Sequence, residues 1–432
     1  MPENRLFLLL PNNIKNMAIF RRSKNNNLPV LKQILNLVPP HIFRTSIQKH
    51  QSDKGCSKYK TFNQFVALTF GQLCKCYTLT DISCGLSISK TFLFDIGLNQ
   101  SPAKSTMSDG NSKRDWRVFE TMYHKLLSYY STSLKAHHMS SVIEEIKGKS
   151  IKLIDSTTIS LCLSLFDWAK FRTAKGGLKI HTVWDDQLAL PDYISITEAK
   201  IHDRHGLENL VFKKDTIIVE DRAYFDFELM LSRIKAINTF VTRIKTNTQF
   251  KSIRELELPS DKDQDILKDE IIILNSKSAE KSGISKYESR LVSVYKEDEY
   301  KVIEIITNQL TWSARTVADL YKKRWEIELF FKAMKQNLQI KTFIGTSENA
   351  VKSQIYVALI TFLLMELIRR IYCKTNVAFS NFCEKIRICL LHYLSLDYLC
   401  NIIKPIVQKA TKPPDLTLIR VDKFSFQTKL KL

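Results

Sequence analysis

Glycine and proline are scarce, 11 of each in 432 residues, which argues against long flexible linkers and excludes a collagen-like or low-complexity fibre. The nine cysteines form no pair of Cys-x-x-Cys knuckles, so zinc ribbons are excluded, and an odd, scattered set reads as reduced thiols in a cytosol. Cys74 and Cys76 read as ordinary buried thiols. Long apolar runs are also missing. The most apolar stretch, Ile355 to Ile368, is interrupted by Glu366 and falls short of the roughly 18–20 residues of a membrane span, so it reads as a buried helix. The run Leu6–Leu10 is too short for a secretory core and has no small-residue cleavage site. Acidic residues are the remaining shortage, 44 Asp and Glu against 65 Lys and Arg, for a net charge of +21.

With 44% apolar and 25% charged residues the chain can bury a sizeable core, and its length suits two to three domains. A positive surplus of this size favours an anionic polymer as partner. It sits mainly at the two ends: residues 1–140 hold 19 Lys and Arg against 7 Asp and Glu, and residues 401–432 hold 7 against 2.

Residues 1–27 read as a weakly ordered basic arm, with Met17 as an alternative start. Residues 28–140 read as helical: Phe65, Leu68 and Leu73 recur at helical spacing, and Thr80-Asp81-Ile82 and Ser105-Thr106-Met107-Ser108-Asp109 look like capped helix starts. Short helices in a basic region suit a helix-turn-helix reader of DNA, with a plain helical bundle as the other reading. At residue 149 the pattern turns to strands. Ser150 to Asp155 alternates, and Leu178–Trp184 and Tyr193–Thr197 form a hairpin through Asp185-Asp186-Gln187. His202–Phe212 is expected to be a helix, Thr216–Val219 a strand buried on both faces, Phe225–Ile237 a helix, and Thr239–Ile244 a strand. This is an α/β domain with a mixed sheet over 149–246. Residues 247–299 read as a β-rich insertion, Lys301–Thr307 as the last strand of a 300–375 segment, and Thr316–Leu338 as one long helix. Residues 376–432 read as a helical and basic C-terminal region, in which Lys404, Lys409 and Lys412 belong either to a solvated tail or to a DNA contact.

Three acids stand out. Asp155 ends the first strand, and Asp221 ends the buried run Thr216–Val219; a carboxylate at a strand end is well placed for chemistry, or it caps the next helix. Glu220 is the alternative to Asp221, on the opposite face of the strand. On a helical wheel of about 100° per residue with Tyr321 at zero, Arg324 falls near −60°, Glu328 near −20° and Lys335 near −40°. Trp325 and Leu329 border this polar stripe on one side, Leu320 and Phe331 on the other. Glu326 falls about opposite, beside Lys322 and Lys323, and is expected to form a solvated i,i+4 pair. An Arg324–Glu328 surface ion pair is the plainer account of the stripe.

The pattern Tyr321-x-x-Arg324-x-x-x-Glu328-x-x-x-x-x-x-Lys335 resembles the signature of the DDE transposases of the insertion-sequence-four class. Asp155-Ser156-Thr157 and Asp221-Arg222-Ala223-Tyr224 resemble the segments that carry that family's other two acids, in the same order. His50 to Leu127, including Arg114-Asp115-Trp116-Arg117, and Leu161–Phe166 through Lys179-Ile180-His181 resemble one of its subgroups. The resemblance implies an α/β, RNase H-like mixed sheet with a β-rich insertion, preceded by an α-helical DNA-binding domain. It implies Asp155, Asp221 and Glu328 as catalytic metal ligands, and Tyr321, Arg324 and Lys335 as contacts to DNA phosphates. Two Mg²⁺ ions about 4 Å apart, with Mn²⁺ able to substitute, suit an in-line phosphodiester transfer. A water would cut at the element's end, and the freed 3′-OH would attack target DNA. The implied partners are double-stranded DNA, at terminal inverted repeats and at the target, and a second copy of the chain on paired ends, with no membrane. The implied place is the bacterial cytoplasm, at the nucleoid. Some members use a hairpin step with a Trp on the strand before the signature helix. Here that strand, Tyr300 to Thr307, has no Trp; Trp312 follows it and Trp325 lies in the helix.

Other residues carry weaker readings. His202-Asp203-Arg204-His205 has a metal-ligand spacing, though Asp203 as a helix cap explains it more simply. Lys179 and His181 share one strand face, either approaching DNA or serving structure. Besides an active transposase, two functions stay open: a DNA-binding protein without catalysis, and a nuclease that cuts without joining.

Overall fold

The computed structural model describes residues 28–401, apart from 138–142, 162–165, 167, 169, 173–174, 202, 204–205, 207–209, 259–264, 298–299, 339, 341 and 374–376. The basic arm over 1–27 and the tail carrying Lys404, Lys409 and Lys412 lie outside the described residues.

The first part of the chain is helical: α1 (Val30–Leu35), α2 (Pro40–His50), α3 (Thr61–Leu73), α4 (Leu79–Leu86), α5 (Lys90–Ile96), α6 (Lys104–Lys113) and α7 (Arg117–Ala136). Local chemistry sets several of these starts. Thr78 Oγ1 accepts from Asp81 N and the Asp81 carboxylate accepts from Thr78 N, a reciprocal capping box at α4. Ser89 caps α5, and Gly97, at φ 91°, ends it in the left-handed region that glycine enters without penalty.

Among the described residues ten strands follow in one sheet: β1 (Ile151–Leu161), β2 (Lys170–Arg172), β3 (Lys175–Asp185), β4 (Leu190–Glu198), β5 (Ile217–Glu220), β6 (Thr239–Arg243), β7 (Phe250–Glu255), β8 (Ile266–Leu274), β9 (Ser289–Lys296) and β10 (Lys301–Thr307). The order is β2-β3-β1-β5-β6-β10-β9-β8-β7, with β4 paired to β3. β1, β5 and β6 are mutually parallel and the other pairings are antiparallel. Every residue of β5 is buried, as expected for a strand covered on both faces. Helix α8 (Phe227–Lys235), capped by Asp226, makes the crossover from β5 to β6. The segment between β6 and β10 adds β7, β8 and β9 to the same sheet, with a short helix α9 (Lys277–Ser282) between β8 and β9.

The C-terminal helices are α10 (Ala314–Lys323), α11 (Trp325–Asn337), α12 (Glu348–Tyr372), α13 (Phe379–Cys389) and α14 (Leu396–Asn401). One sheet face packs on α10 and α11, joining Leu153, Val219, Val241 and Val292 to Val317 and Leu320 in a core that extends to the N-terminal helices. The other face packs on α8 and α9 through Phe225, Met230, Phe240 and Ala279. Helix α12 is long and apolar enough to cross a membrane by composition, but 94% of its most apolar window is buried inside the protein. It runs among the N-terminal helices, where Tyr356 stacks on Trp116 at 5.4 Å. Glu366, the charge that interrupts its apolar stretch, is buried and paired with Arg369 and Arg370.

Two expectations need correction. The helix expected over Thr316–Leu338 is two helices that meet at Arg324. There Arg324 N donates to Tyr321 O and Ile327 N to Arg324 O, each at 3.2 Å; these three-residue steps tighten the turn locally. Of the helix expected over His202–Phe212, residues 202, 204–205 and 207–209 lie outside the described residues, Asp203 and Gly206 have 3-10 helical conformation, and 210–212 are not helical. Leu210 and Phe212 pack against the cluster of Ile154, Val183, Ile218 and Tyr224, and the Arg233 guanidinium sits 4.8 Å from the Phe212 ring.

Candidate active site

Asp155 does not end its strand, as expected, but sits midway along β1, which runs on to Leu161; the alternation of the strand turns its side chain toward α11. Asp221 follows the last residue of β5, and its carbonyl accepts from Tyr224 N as the chain turns away. Glu328 lies in the first turn of α11. All three line one cleft of about 430 Å³, together with Ser156, Thr157, Arg324, Phe331, Lys332, Lys335 and Gln336. The cleft therefore brings three carboxylates together with the cationic Arg324, Lys332 and Lys335.

Arg324 bridges two of these carboxylates. Its Nη1 is 3.0 Å from Asp155 Oδ2, and its Nη2 is 2.5 Å from Glu328 Oε1. Its guanidinium also lies 5.7 Å from the ring of Tyr321, which is itself buried. Ser156 N donates to Asp155 Oδ1 at 2.7 Å, and Lys335 Nζ donates to Thr157 Oγ1 at 2.5 Å. Burial pushes the Asp155 carboxyl up to about 6; Arg324 and the Ser156 amide oppose this, while the charges of Asp221 and Glu328 add to it. For Arg324, burial favours the neutral form, but Tyr321, Asp155, Glu328 and Asp221 outweigh it and raise its pKa further.

The donor set suits a hard divalent cation, because all three acids offer carboxylate oxygens. The Arg324 guanidinium stands between two of them as an internal cation. Among the described residues no three His, Cys, Asp or Glu side chains are gathered into a ready-made metal cage. The acids share a cleft, and the Arg324 guanidinium engages one oxygen of Asp155 and one of Glu328.

The other candidate residues fall in several places. Glu220 is buried and pairs with Arg233 of α8 at 3.0 Å, so it faces away from the cleft that Asp221 lines. Lys179 and His181 also face away. Lys179 Nζ donates to Ile201 O at 2.9 Å and lies 3.3 Å from Asp203 Oδ1, while His181 is fully buried with Nε2 2.9 Å from Thr197 Oγ1. Asp203 accepts from Ser156 Oγ at 2.5 Å; His202, Arg204 and His205 lie outside the described residues. Cys74 and Cys76 are half-buried free thiols, with burial pushing their pKa up to about 12 and about 11.

Glu326 corrects the expectation of a solvated pair. Lys323 is buried and bonds Asp186 Oδ1 at 2.8 Å. Burial, with the charge of Asp186 beside it, raises the pKa of Glu326. On the far side of the helix Lys323 and Glu326 thus lie against the β3–β4 turn, while Lys322 is exposed. The apolar borders of the stripe also differ. Leu320 and Phe331 are buried, whereas Trp325 and Leu329 are 54% and 51% exposed. Lys332 and Gln336 had been overlooked. The same wheel places Lys332 near +20°, between Tyr321 and the bordering Trp325, and Gln336 near +60°, among the border residues. Asp203 gave no such signal, since its bond to Ser156 spans 47 residues.

The family profile of the transposase DDE domain matches residues 146–364, just over half of the 432 residues, and takes in all three acids. The chain belongs to the DDE transposase family. A profile for a domain of unknown function, DUF4372, matches residues 26–99 ahead of that DDE domain. A probable transposase for insertion sequence element IS5377 of Geobacillus stearothermophilus is 30% identical over 233 residues, which cover 54% of this chain and 60% of that protein. A putative transposase of Sinorhizobium fredii is 29% identical over 63% of this chain and 73% of its own length. The chain thus spans less than two thirds of the Geobacillus relative. A solved piggyBac transposase synaptic complex with hairpin DNA aligns at a TM-score of 0.39 and 11% identity, over 90% of this chain and 84% of its own, too distant to bear on fold or chemistry.

Proposed function

We propose that the protein is the transposase of an insertion sequence, which binds double-stranded DNA at the element's ends, cuts it, and joins the freed 3′-OH to target DNA. One observation carries this reading. Asp155, Asp221 and Glu328, from three distant parts of the chain, line one cleft whose remaining charges, Arg324, Lys332 and Lys335, are cationic. The relatives named as insertion-sequence transposases support the same activity. An antiparallel β1–β3–β4 meander with β5 and β6 parallel to β1 supports an RNase H-like sheet. The helices over residues 28–140 would form the DNA-binding domain, the protein would act as a homodimer on paired ends, and the setting would be the bacterial cytoplasm.

Asp155, Asp221 and Glu328 are the residues that would hold Mg²⁺ or Mn²⁺. Such ions, when bound, supply a Lewis acid for the attacking oxygen and neutralise charge on the phosphate. The chain's own groups do the rest. The Arg324 fork, released from Asp155, can take a phosphate bidentately, while Lys332 and Lys335 present point charges along the strand. Tyr321 packs beside the guanidinium and limits where it can swing.

The test is strand transfer on a duplex carrying the inverted repeats that flank the coding region. Joined product in Mg²⁺, lost in Asp155→Ala and Glu328→Gln, is expected. Full cleavage by those variants would reject the site. Tight binding by the wild-type chain without nicking would instead mark a DNA-binding protein that does no catalysis.

A further inference from the structure

We infer that α6 is the element that reads base sequence in the DNA, and that the exposed lysines of the loop 51–60 beside it hold the phosphates. This rests on the transposase reading and assigns the surface that recognises the element's end.

Helix α6, Lys104–Lys113, is unusual for a helix in a packed layer. Seven of its ten residues are exposed, and all seven are polar or charged. Ser105, Thr106, Ser108, Asp109 and Ser112 are among the weaker helix formers, so intrinsic propensity does not explain their presence. Hydroxyl groups standing out from a helix do suit base edges in the major groove, where Ser and Thr can donate or accept.

The helix is anchored on its other side. Met107 is fully buried, and Gln64 Nε2 donates to Asn111 Oδ1 at 2.9 Å. Gly110 lies so close to Tyr59 that a Cβ there would come within 2.5 Å of the ring. Asn349, in the first turn of α12, donates to Ser112 O at 3.0 Å, which ties α6 to the helix that follows the catalytic α11.

The loop 51–60 is fixed against the same anchor. The buried Arg114, just past α6, donates to Ser52 O at 3.1 Å and to Tyr59 O at 2.6 Å. Lys54, Lys58 and Lys60 of this loop are exposed and form no ion pair among the described residues. The acids nearby are already engaged: Asp53 accepts from Thr61, Asp109 pairs with Lys113, and Asp115 pairs with Arg117. A rigid polar helix flanked by unneutralised lysines is complementary to duplex DNA, whose backbone contacts position and whose base contacts specify.

Two full-length variants test this, each used for selection from a pool of randomised duplexes and for binding over a salt series. Ser105→Ala/Thr106→Ala/Ser108→Ala places better helix formers on an exposed face, so it keeps the fold. It is expected to lose at least tenfold of its preference for the wild-type selected sequence over a scrambled duplex. Lys54→Ala/Lys58→Ala/Lys60→Ala is expected to weaken binding to both duplexes alike and to lower the salt slope by about 0.9 for each phosphate contact removed. Unchanged sequence preference in the first variant, or an unchanged slope in the second, overturns the assignment. Mg²⁺-dependent nicking by the wild-type chain, measured alongside, reports on the transposase reading separately.

Discussion

Arg324 Nη1 donates to Asp155 Oδ2 at 3.0 Å, linking the signature helix to β1 across 169 residues of chain. The same guanidinium bonds Glu328, so two of the three acids share one internal cation. A divalent ion held by these acids, as proposed, would compete with Arg324 for their oxygens. Arg324→Ala is therefore expected to lose about 2 kcal/mol of stability in chelator, through two lost charge-assisted hydrogen bonds and closer contact between like charges. Added Mg²⁺ should then raise its melting temperature more than it raises the wild type's. Thermal unfolding with and without Mg²⁺ checks this, and equal shifts in the two proteins would reject the competition.

His181 makes acid stability testable. Burial lowers its pKa from 6.5 to about 4, with Asp203 opposing the shift and Lys179 adding to it. The unfolded imidazole takes its proton near 6.5 and the folded one near 4. The unfolded state therefore binds more protons between these values, and stability present above pH 6.5 is lost as pH falls through that window. The full shift corresponds to roughly 3 kcal/mol. Urea unfolding at pH 7.5 and pH 5.0 should show a loss for wild type that is reduced in His181→Gln. The same loss in both proteins would assign the acid sensitivity to other groups.

Glu220 and Asp221 are neighbours with opposite surroundings. Glu220 is buried against Arg233, so Glu220→Ala leaves a buried guanidinium unpaired and should cost about 3–5 kcal/mol. Asp221 lines the open cleft, and Asp221→Asn should stay within about 0.5 kcal/mol of wild type in chelator. Only the second is expected to abolish Mg²⁺-dependent nicking by folded protein. Chemical denaturation and a nicking assay on each variant settle it; nicking by Asp221→Asn at the wild-type rate would remove that acid from the mechanism.

The helix periodicity made part of this cleft legible. Arg324, Glu328 and Lys335 fall in one arc because residues in one helix share a single local geometry, and the tight turn at Arg324 is too short to scramble it. Strand order was legible where the chemistry is local, as in the fully apolar run of β5 or the Asp-Asp-Gln turn between β3 and β4. What stayed hidden depends on distant chain. The wheel alone cannot say that the β3–β4 turn lies over Glu326, or that Ser156 meets Asp203. Nor can it tell that Phe331 is covered while Trp325, on the other border of the stripe, is open. The non-helical stretch 210–212 at the end of the expected helix has the same origin, because Leu210 and Phe212 pack on a cluster built from distant strands.

The buried pair Lys323–Asp186 fixes the end of α10 one residue before Arg324, at 2.8 Å. Both side chains are almost without solvent, so their attraction is offset by the cost of removing two charges from water. Asp186→Ala leaves the Lys323 ammonium buried beside Glu326, which compensates only in part, and should cost about 3 kcal/mol. Replacing both partners with apolar residues of similar volume, Asp186→Leu with Lys323→Met, removes the unpaired charge and should recover most of that loss. Urea unfolding of the single and double variants in chelator measures the difference. If the double variant is as unstable as Asp186→Ala, the pair contributes packing or backbone geometry that charge removal cannot replace, and the electrostatic account of this helix end is wrong.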